Sequence, residues 1–297
     1  MNRRQAFTLA VAGLAGCVTP RRLTRGHIDA HSHIWTTEVD RFPLREGVTI
    51  EDLAPLSFTA EDLIKLGHTE GVTRHVLISH RRYHGFDNDY YTHAVAAHPW
   101  VFGVVGALDR AAGGIAERLR ANRALGITGY RIKPENNPQW LESDTMKTMW
   151  RAGAEHRIAM CPLIRPEHIP TLEPMCRQFP DTPVVIDHCA RVDLGQDDRL
   201  QQLCALAKYP KVHVKVSAFY AFGTKKPPYD EQAPKVKALF EAFGPRRLMW
   251  ASDCPYQLND GNTYAASIAF VRDRLAFLNA EDKDWILRRT AEQVFFD

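Results

Sequence analysis

No stretch of the 297 residues is apolar for long enough to hold a chain across a bilayer, and no repeat, low-complexity tract or Gly/Ser/Pro-rich linker interrupts them. The chain therefore reads as one large domain behind its first residues. Charge of one sign is equally scarce. Lys and Arg exceed Asp and Glu by three, and loss of Arg3 and Arg4 with the first 16 residues would leave +1. That is no electrostatic footprint for nucleic acid. Cysteine supplies no framework either. Beyond Cys17 stand Cys161, Cys176, Cys189, Cys204 and Cys254, an odd set without CxxC spacing, which argues against a disulfide scaffold and a zinc knuckle. What the chain does have is histidine, 13 in all, in a 45% apolar composition ordinary for a globular protein.

The first twenty residues read as an export signal. Met1-Asn2-Arg3-Arg4 is a basic start, Thr8 to Leu14 a short apolar middle, and Ala15-Gly16 a pair of small residues before a cut. The Arg pair matches a twin-arginine address. Leu14-Ala15-Gly16-Cys17 resembles a lipobox, in which Cys17 would be lipidated. The expectation is an exported protein, periplasmic or anchored to the membrane by a lipid on Cys17, with residues 21–297 as the working domain. A homo-oligomer is left open.

Short apolar runs alternate with longer amphipathic ones. Strands are predicted at 27–31, 74–79, 101–107, 127–132, 158–164, 183–187, 211–217 and 248–252. Helical patterns lie between and after them at 60–70, 88–98, 113–125, 143–155, 167–178, 197–208, 231–243 and 262–277. Eight nearly continuous apolar strands, each followed by a helix, predict a parallel sheet buried on both faces. With no Gly-rich phosphate loop after the first strand, an eight-stranded (β/α)8 TIM barrel is preferred over an open doubly wound sheet. Residues 34–59 read as a long loop near the barrel mouth.

A barrel gathers strand ends, and four such ends carry chemistry: His31 and His33 in Asp29-Ala30-His31-Ser32-His33, His188 after Val184-Val185-Ile186-Asp187, and Asp253 after Trp250-Ala251-Ser252. Residues i and i+2 of a strand share a face, so two imidazoles stand side by side. Each is a neutral metal ligand or a proton carrier near pH 7. Asp29, on the same alternation, or a backbone carbonyl would orient their second nitrogens. Asp253 is a poor core residue; its plain alternative is a helix N-cap. Arg131, Lys133, Arg191 and Lys215 read as cations entering the same mouth, where a guanidinium grips carboxylates bidentately; rim salt bridges are the alternative. Lys133 could instead be a carbamylated bridge between two metals, although ligands for a second metal are not evident. Ser79, His80, Tyr83, His84 and Tyr220 are candidate substrate contacts on loops, Trp35 an apolar wall, and His213 a structural histidine.

Together these residues resemble the amidohydrolase superfamily, in its amidohydrolase-related branch of pyrone-dicarboxylate lactonases, fuconolactonase-type sugar-acid lactonases and metal-dependent decarboxylases. The motifs that carry the resemblance are Asp29 to Trp35, Tyr83-His84-Gly85-Phe86-Asp87-Asn88, Gly126 to Arg131, Ile186-Asp187-His188, Val214-Lys215-Val216-Ser217 and Leu248 to Pro255. Two departures stand out. The fifth strand reads Ala159-Met160-Cys161-Pro162, without the decarboxylases' histidine, and the closing stretch 286–292 lacks the usual Gly-Asn pair. The resemblance implies a hydrolase that opens a lactone. Asp253 would be the base that activates water, with His31, His33 and His188 polarising the carbonyl. They would do so directly, without metal, or as ligands with Asp253 of a divalent Zn or Mn ion. Arg131, Lys133, Arg191, Ser79, Tyr83 and Lys215 would bind a small-molecule carboxylic acid or lactone. The alternatives are a metal-dependent decarboxylase or hydratase and a non-catalytic exported binding protein.

Overall fold

The computed structural model describes residues 26–134, 137 and 139–297. The export-signal reading, Cys17 included, lies outside the described residues. The strands are β1 (His27–Ser32), β2 (Val72–Ile78), β3 (Phe102–Gly106), β4 (Ile127–Ile132), β5 (Ala159–Pro162), β6 (Val184–Ile186), β7 (Val212–Ser217) and β8 (Leu248–Ala251). They run parallel, each beside the next, in a single eight-stranded sheet. The ring closes just past β8: the His33 N–H donates to the Cys254 carbonyl at 2.7 Å and the Asp253 N–H to the His31 carbonyl at 2.8 Å. All eight predicted strands are present, and the architecture is the (β/α)8 barrel.

Helices α1 (Ala60–His68), α2 (Arg81–His84), α3 (Asp89–Ala97), α4 (Ile115–Arg123), α5 (Asp144–His156), α6 (Ile169–Gln178), α7 (Asp197–Ala205) and α8 (Ala233–Phe243) punctuate the sheet. Of these, α2 was not foreseen. After β8 come α9 (Tyr264–Ala269), α10 (Ala280–Asp284) and α11 (Thr290–Phe295), where α9 ends short of the predicted 262–277 and passes into a wider turn over Phe270–Arg274. Thr59 and Asp62 form a reciprocal cap on α1. Residues 34–59 are irregular apart from one turn at Ile50–Asp52 and a bridge between Trp35 and Phe58. No helix among the described residues is long and apolar enough to cross a membrane.

Alternation along the strands splits the core in two. Leu77, Val104, Tyr130, Met160, Val184, Val214 and Trp250 join the large cluster shared with the helices. The intervening Val76, Val105, Cys161, Val185, Met249 and Ala251 form a second cluster closed by Ala291 and Phe295 of α11. That second set is the barrel lumen, packed with small and branched side chains and floored by one phenyl ring.

Register shifts occur between His27 and Ile28, between Val104 and Val105, and at the end of β1. The register of β1 against β2 shifts between Asp29 and Ser32, so Asp29 and His31 do not address the same neighbours. Asp29 does not orient a histidine ring. Its buried carboxylate accepts from the Ser252 N–H (2.8 Å), the Ser252 hydroxyl (2.5 Å), the Ser32 hydroxyl (2.7 Å) and the Tyr264 hydroxyl of α9 (3.1 Å). Asp29 is the clasp across the β1–β8 seam. Removing it leaves several buried donors without an acceptor, at about 1–3 kcal/mol for each one that water cannot reach. Asp29→Ala is therefore expected to lower unfolding stability by on the order of 3 kcal/mol in denaturant titration; an unshifted midpoint would refute the clasp.

His75 on β2 is buried against Gly67 of α1, with Nδ1 lacking a partner. Burial holds its pKa down at about 3. The unfolded chain then binds more protons than the fold between about pH 6.5 and 3, so the contribution of His75 is complete above pH 6.5 and declines on acidification. His213, held at about 4 by burial, acts in the same direction. In urea titrations across that window, His75→Leu should flatten the loss of stability by up to about 1.4 kcal/mol per pH unit; an unchanged slope would refute the assignment.

Candidate active site

Three strand ends leave the sheet through residues in the left-handed region, which costs roughly 1–2 kcal/mol for each residue with a Cβ. After β6, His188, Cys189, Ala190 and Arg191 take φ of 51°, 51°, 53° and 58°; after β7, Ala218 takes 57°; after β8, Asp253 takes 62°. Local bonds hold these turns. The Val192 N–H reaches the Cys189 carbonyl at 3.1 Å, and the Cys189 thiol lies 3.5 Å from the Lys215 carbonyl. Backbone strain of this kind concentrates at functional sites, and here it turns His188 and Asp253 toward each other.

The four residues predicted as the centre are brought together. His33 donates from Nδ1 to the Ile78 carbonyl at 2.8 Å, which leaves Nε2 as a lone pair, 3.4 Å from Asp253 Oδ1. His188 Nδ1 lies 2.9 Å from the Ser217 hydroxyl, which in turn donates to the Lys215 carbonyl. Its Nε2 therefore also presents a lone pair, 3.7 Å from Asp253 Oδ2. His31 turns Nδ1 to Asp187 Oδ1 at 3.3 Å and Nε2 to Asp253 Oδ1 at 3.4 Å. Burial keeps His31 well below the usual imidazole range and His188 at about 4, so both rings are neutral near pH 7. Burial alone would raise Asp253, and a proton on His188, His33 or His31 beside it would pull it below the usual carboxylate range. Its side chain caps no helix: Oδ2 accepts from the Tyr220 hydroxyl at 2.6 Å.

Beneath this centre lies a buried charge network. Lys215, fully buried on β7, is 3.0 Å from Asp187 Oδ1 and 3.3 Å from His31 Nδ1. Arg131 on β4 reaches Asp187 Oδ2 at 3.3 Å and His31 Nε2 at 2.6 Å through one Nη2. Burial would raise Asp187; Lys215 first, then His31 and Arg131, hold it well below the carboxylate range instead. Asp187 is the functional residue that sequence reasoning passed over. Its signal was an acid standing directly between an apolar strand and His188.

The predicted substrate contacts divide. Lys215 is a correction, since its ammonium supports His31 from below and meets no solvent. Tyr83 is another. Its ring is buried between Trp35 and His80, with centroids at 5.0 and 4.2 Å, and its hydroxyl accepts from the Ala54 N–H. Ser79 is buried at the end of β2 with a hydroxyl that lacks a partner. His84 lies against the Pro43 carbonyl, Trp35 forms the expected wall, and His213 bonds backbone carbonyls. Lys133 and Arg191 do face open space. A cleft of 880 Å³ is lined by Arg45, Glu46, Arg81, Arg82, His84 and Lys133, among others. A second, of 600 Å³, includes Lys133, Arg165 and Arg191.

His31, His33 and Asp253 can bring one ligand atom each to within 4.8 Å of one another. Two imidazole lone pairs and a carboxylate oxygen repel unless a cation or donor stands among them, so this donor set fits a divalent ion with an open coordination position. At His31 the Arg131 guanidinium already meets one of those lone pairs.

A parallel barrel with two histidines at the end of β1, a third after β6 and an aspartate after β8 is the arrangement of a hydrolase-type barrel. The profile of the amidohydrolase family matches residues 28–296, and the chain belongs to that family. It is 28% identical over 238 residues to the L-fucono-1,5-lactonase of Burkholderia ambifaria, covering 77% of this chain and 80% of that one. Two crystal structures share its fold. A probable 2-pyrone-4,6-dicarboxylic acid hydrolase from Acinetobacter baumannii superposes with TM-score 0.77 at 22% identity, over 91% of this chain and 99% of that one. An amidohydrolase from Burkholderia multivorans with bound zinc superposes with TM-score 0.72 at 20% identity, over the same shares.

Removing one partner of a buried ion pair strands the other, at about 3–5 kcal/mol. Lys215→Met should cost that much. The double variant Lys215→Met/Asp187→Asn should be more stable than the sum of the single losses by about 1 kcal/mol or more. Additive losses in unfolding titrations would show the two side chains to be uncoupled.

Proposed function

We propose that the protein hydrolyses a lactone, with Asp253 as the base that takes a proton from the attacking water. The observation that carries this reading is the convergence of His31, His33 and His188 around one buried carboxylate. A centre of that kind is costly to bury and serves binding alone poorly. The family and the lactonase relative support the choice of reaction.

Asp253 stays ionised across the neutral range, as a general base must. Tyr220 holds Oδ2 from the loop after β7. Burial and then the Asp253 charge push this phenol well up, so it remains a donor. His31, His33 and Asp253 are the residues that would hold a divalent zinc or manganese ion. Such an ion would supply Lewis-acid polarisation of the lactone carbonyl. Asp187 as acceptor at Nδ1 and Arg131 as donor at Nε2 favour the His31 tautomer with its proton on Nδ1, and Lys215 holds Asp187 in place. Lys133 and Arg191, at the cleft walls, would bind a carboxylate of the substrate or product.

Asp253→Asn should lower kcat/KM for lactone hydrolysis by about 10²–10⁴-fold, with the unfolding midpoint unchanged. Retained turnover would remove Asp253 as the base. Metal analysis of the purified protein should find a divalent ion that His33→Ala no longer retains; equal metal content in the two would refute the ligand set.

A further inference from the structure

We infer that Tyr256, held by His80, is the acid that protonates the ring oxygen as it departs from the lactone. The inference rests on the hydrolytic reading above and concerns the other end of the same bond. Attack by water and proton uptake by Asp253 make a tetrahedral adduct; its collapse must expel an alkoxide, a poor leaving group without a proton.

Tyr256 follows Asp253 by three residues, on the loop after β8. Its ring is half-buried, 5.7 Å from His33 and 6.3 Å from Trp35 between centroids. Its hydroxyl is 2.5 Å from His80 Nε2. The direction of that bond follows from the other side of the His80 ring. Nδ1 is buried without a partner, beside a Tyr83 ring 4.2 Å away. A proton on Nδ1 would be an orphaned buried donor, and such groups are rare. The proton therefore sits on Nε2 and is donated to the Tyr256 oxygen. The hydrogen of Tyr256 is left for an acceptor in the site.

The neighbouring phenols lack that freedom. Tyr220 gives its proton to Asp253, and Tyr91 accepts from the His80 N–H and donates to the Ile34 carbonyl. Tyr83 is sealed from the mouth at 1% exposure. Tyr256 alone among these four combines access with an uncommitted proton. A phenol is a stronger acid than an aliphatic alcohol, so the transfer runs downhill. The acyl–oxygen bond breaks, its electron pair goes to the ring oxygen, and the Tyr256 proton joins it as a hydroxyl. Tyr256 then takes a proton back from solvent and Asp253 releases one, so that one water is consumed in each turnover. His80 acts through Tyr256 and is a positioning residue.

The test compares two lactones with different leaving groups: δ-valerolactone, which expels an alkoxide, and dihydrocoumarin, which expels a phenoxide that needs no acid. Tyr256→Phe should lower kcat on δ-valerolactone by about 10²–10⁴-fold, and on dihydrocoumarin by less than about tenfold. His80→Phe should show the same selective loss, and His80→Gln, which keeps an N–H donor, should recover part of it. Equal losses on the two lactones, or none, would overturn the assignment while the hydrolytic reading stands. Wild-type turnover of neither, or turnover unaltered by Asp253→Asn, would overturn the hydrolytic reading and this inference together.

Discussion

The clasp made by Asp29 is the constraint on which the remaining geometry depends. A barrel of eight parallel strands has one seam that sequence neighbours do not make, between the first strand and the last. Here the seam is joined by a carboxylate that gathers four donors from Ser32, Ser252 and Tyr264. Burial pushes the Asp29 carboxyl up, while the Ser252 and Ser32 bonds work against that shift. Because Ser252 is held to Asp29, the next residues fall into register: Asp253 bonds the His31 carbonyl, and the Cys254 carbonyl accepts from His33. The spacing of Asp253 from its histidines is thus a by-product of barrel closure. Sites built on such fixed elements keep their groups in place without reorganisation during reaction.

Charge is balanced in a second layer. Lys215 and Arg131 bring two cations into the upper lumen, and Asp187 and Asp253 bring two anions. The histidines enter neutral. Asp29 and Asp187 show two solutions to one problem, since both are fully buried. The first is satisfied by neutral hydroxyls and the backbone amides of Ser252 and His31 and is pushed up; the second is satisfied by cations and is held down. Only the second kind can orient an imidazole and keep an electric field at the reacting centre.

The sequence was readable where the physics is local. The strands, buried on both faces, stand out as near-continuous apolar runs, and each of the eight falls within two residues of its predicted start. His31, His33, His188 and Asp253 were visible because polar groups at the ends of such runs need a reason. What could not be read was set by distance along the chain. Asp29 finds Ser252 across 223 residues, and Lys215 finds His31 across 184. The strict alternation that made Asp29 a companion of His31 breaks at a register shift in β1, which no pattern of two announces. Tyr256 and Asp187 carry polar atoms whose partners lie far along the chain, so their value appears only once the ring is closed.

The same closure bears on which member of the family's chemistry this chain has kept. Arg131 on β4 pairs in register with Cys161 on β5, at the strand where decarboxylases of this branch carry a histidine. Burial pushes the Cys161 thiol up to about 12, so it is neutral and a poor ligand at physiological pH. The side chain there is small, and Arg131, in register with it on β4, reaches Asp187 and His31. A histidine at that position would offer a lone pair to the centre and compete with Arg131 for Asp187 and His31. In this chain the Arg131 guanidinium meets His31 Nε2 at 2.6 Å, so the place of a fifth-strand histidine is taken by a hydrogen-bond donor from the neighbouring strand.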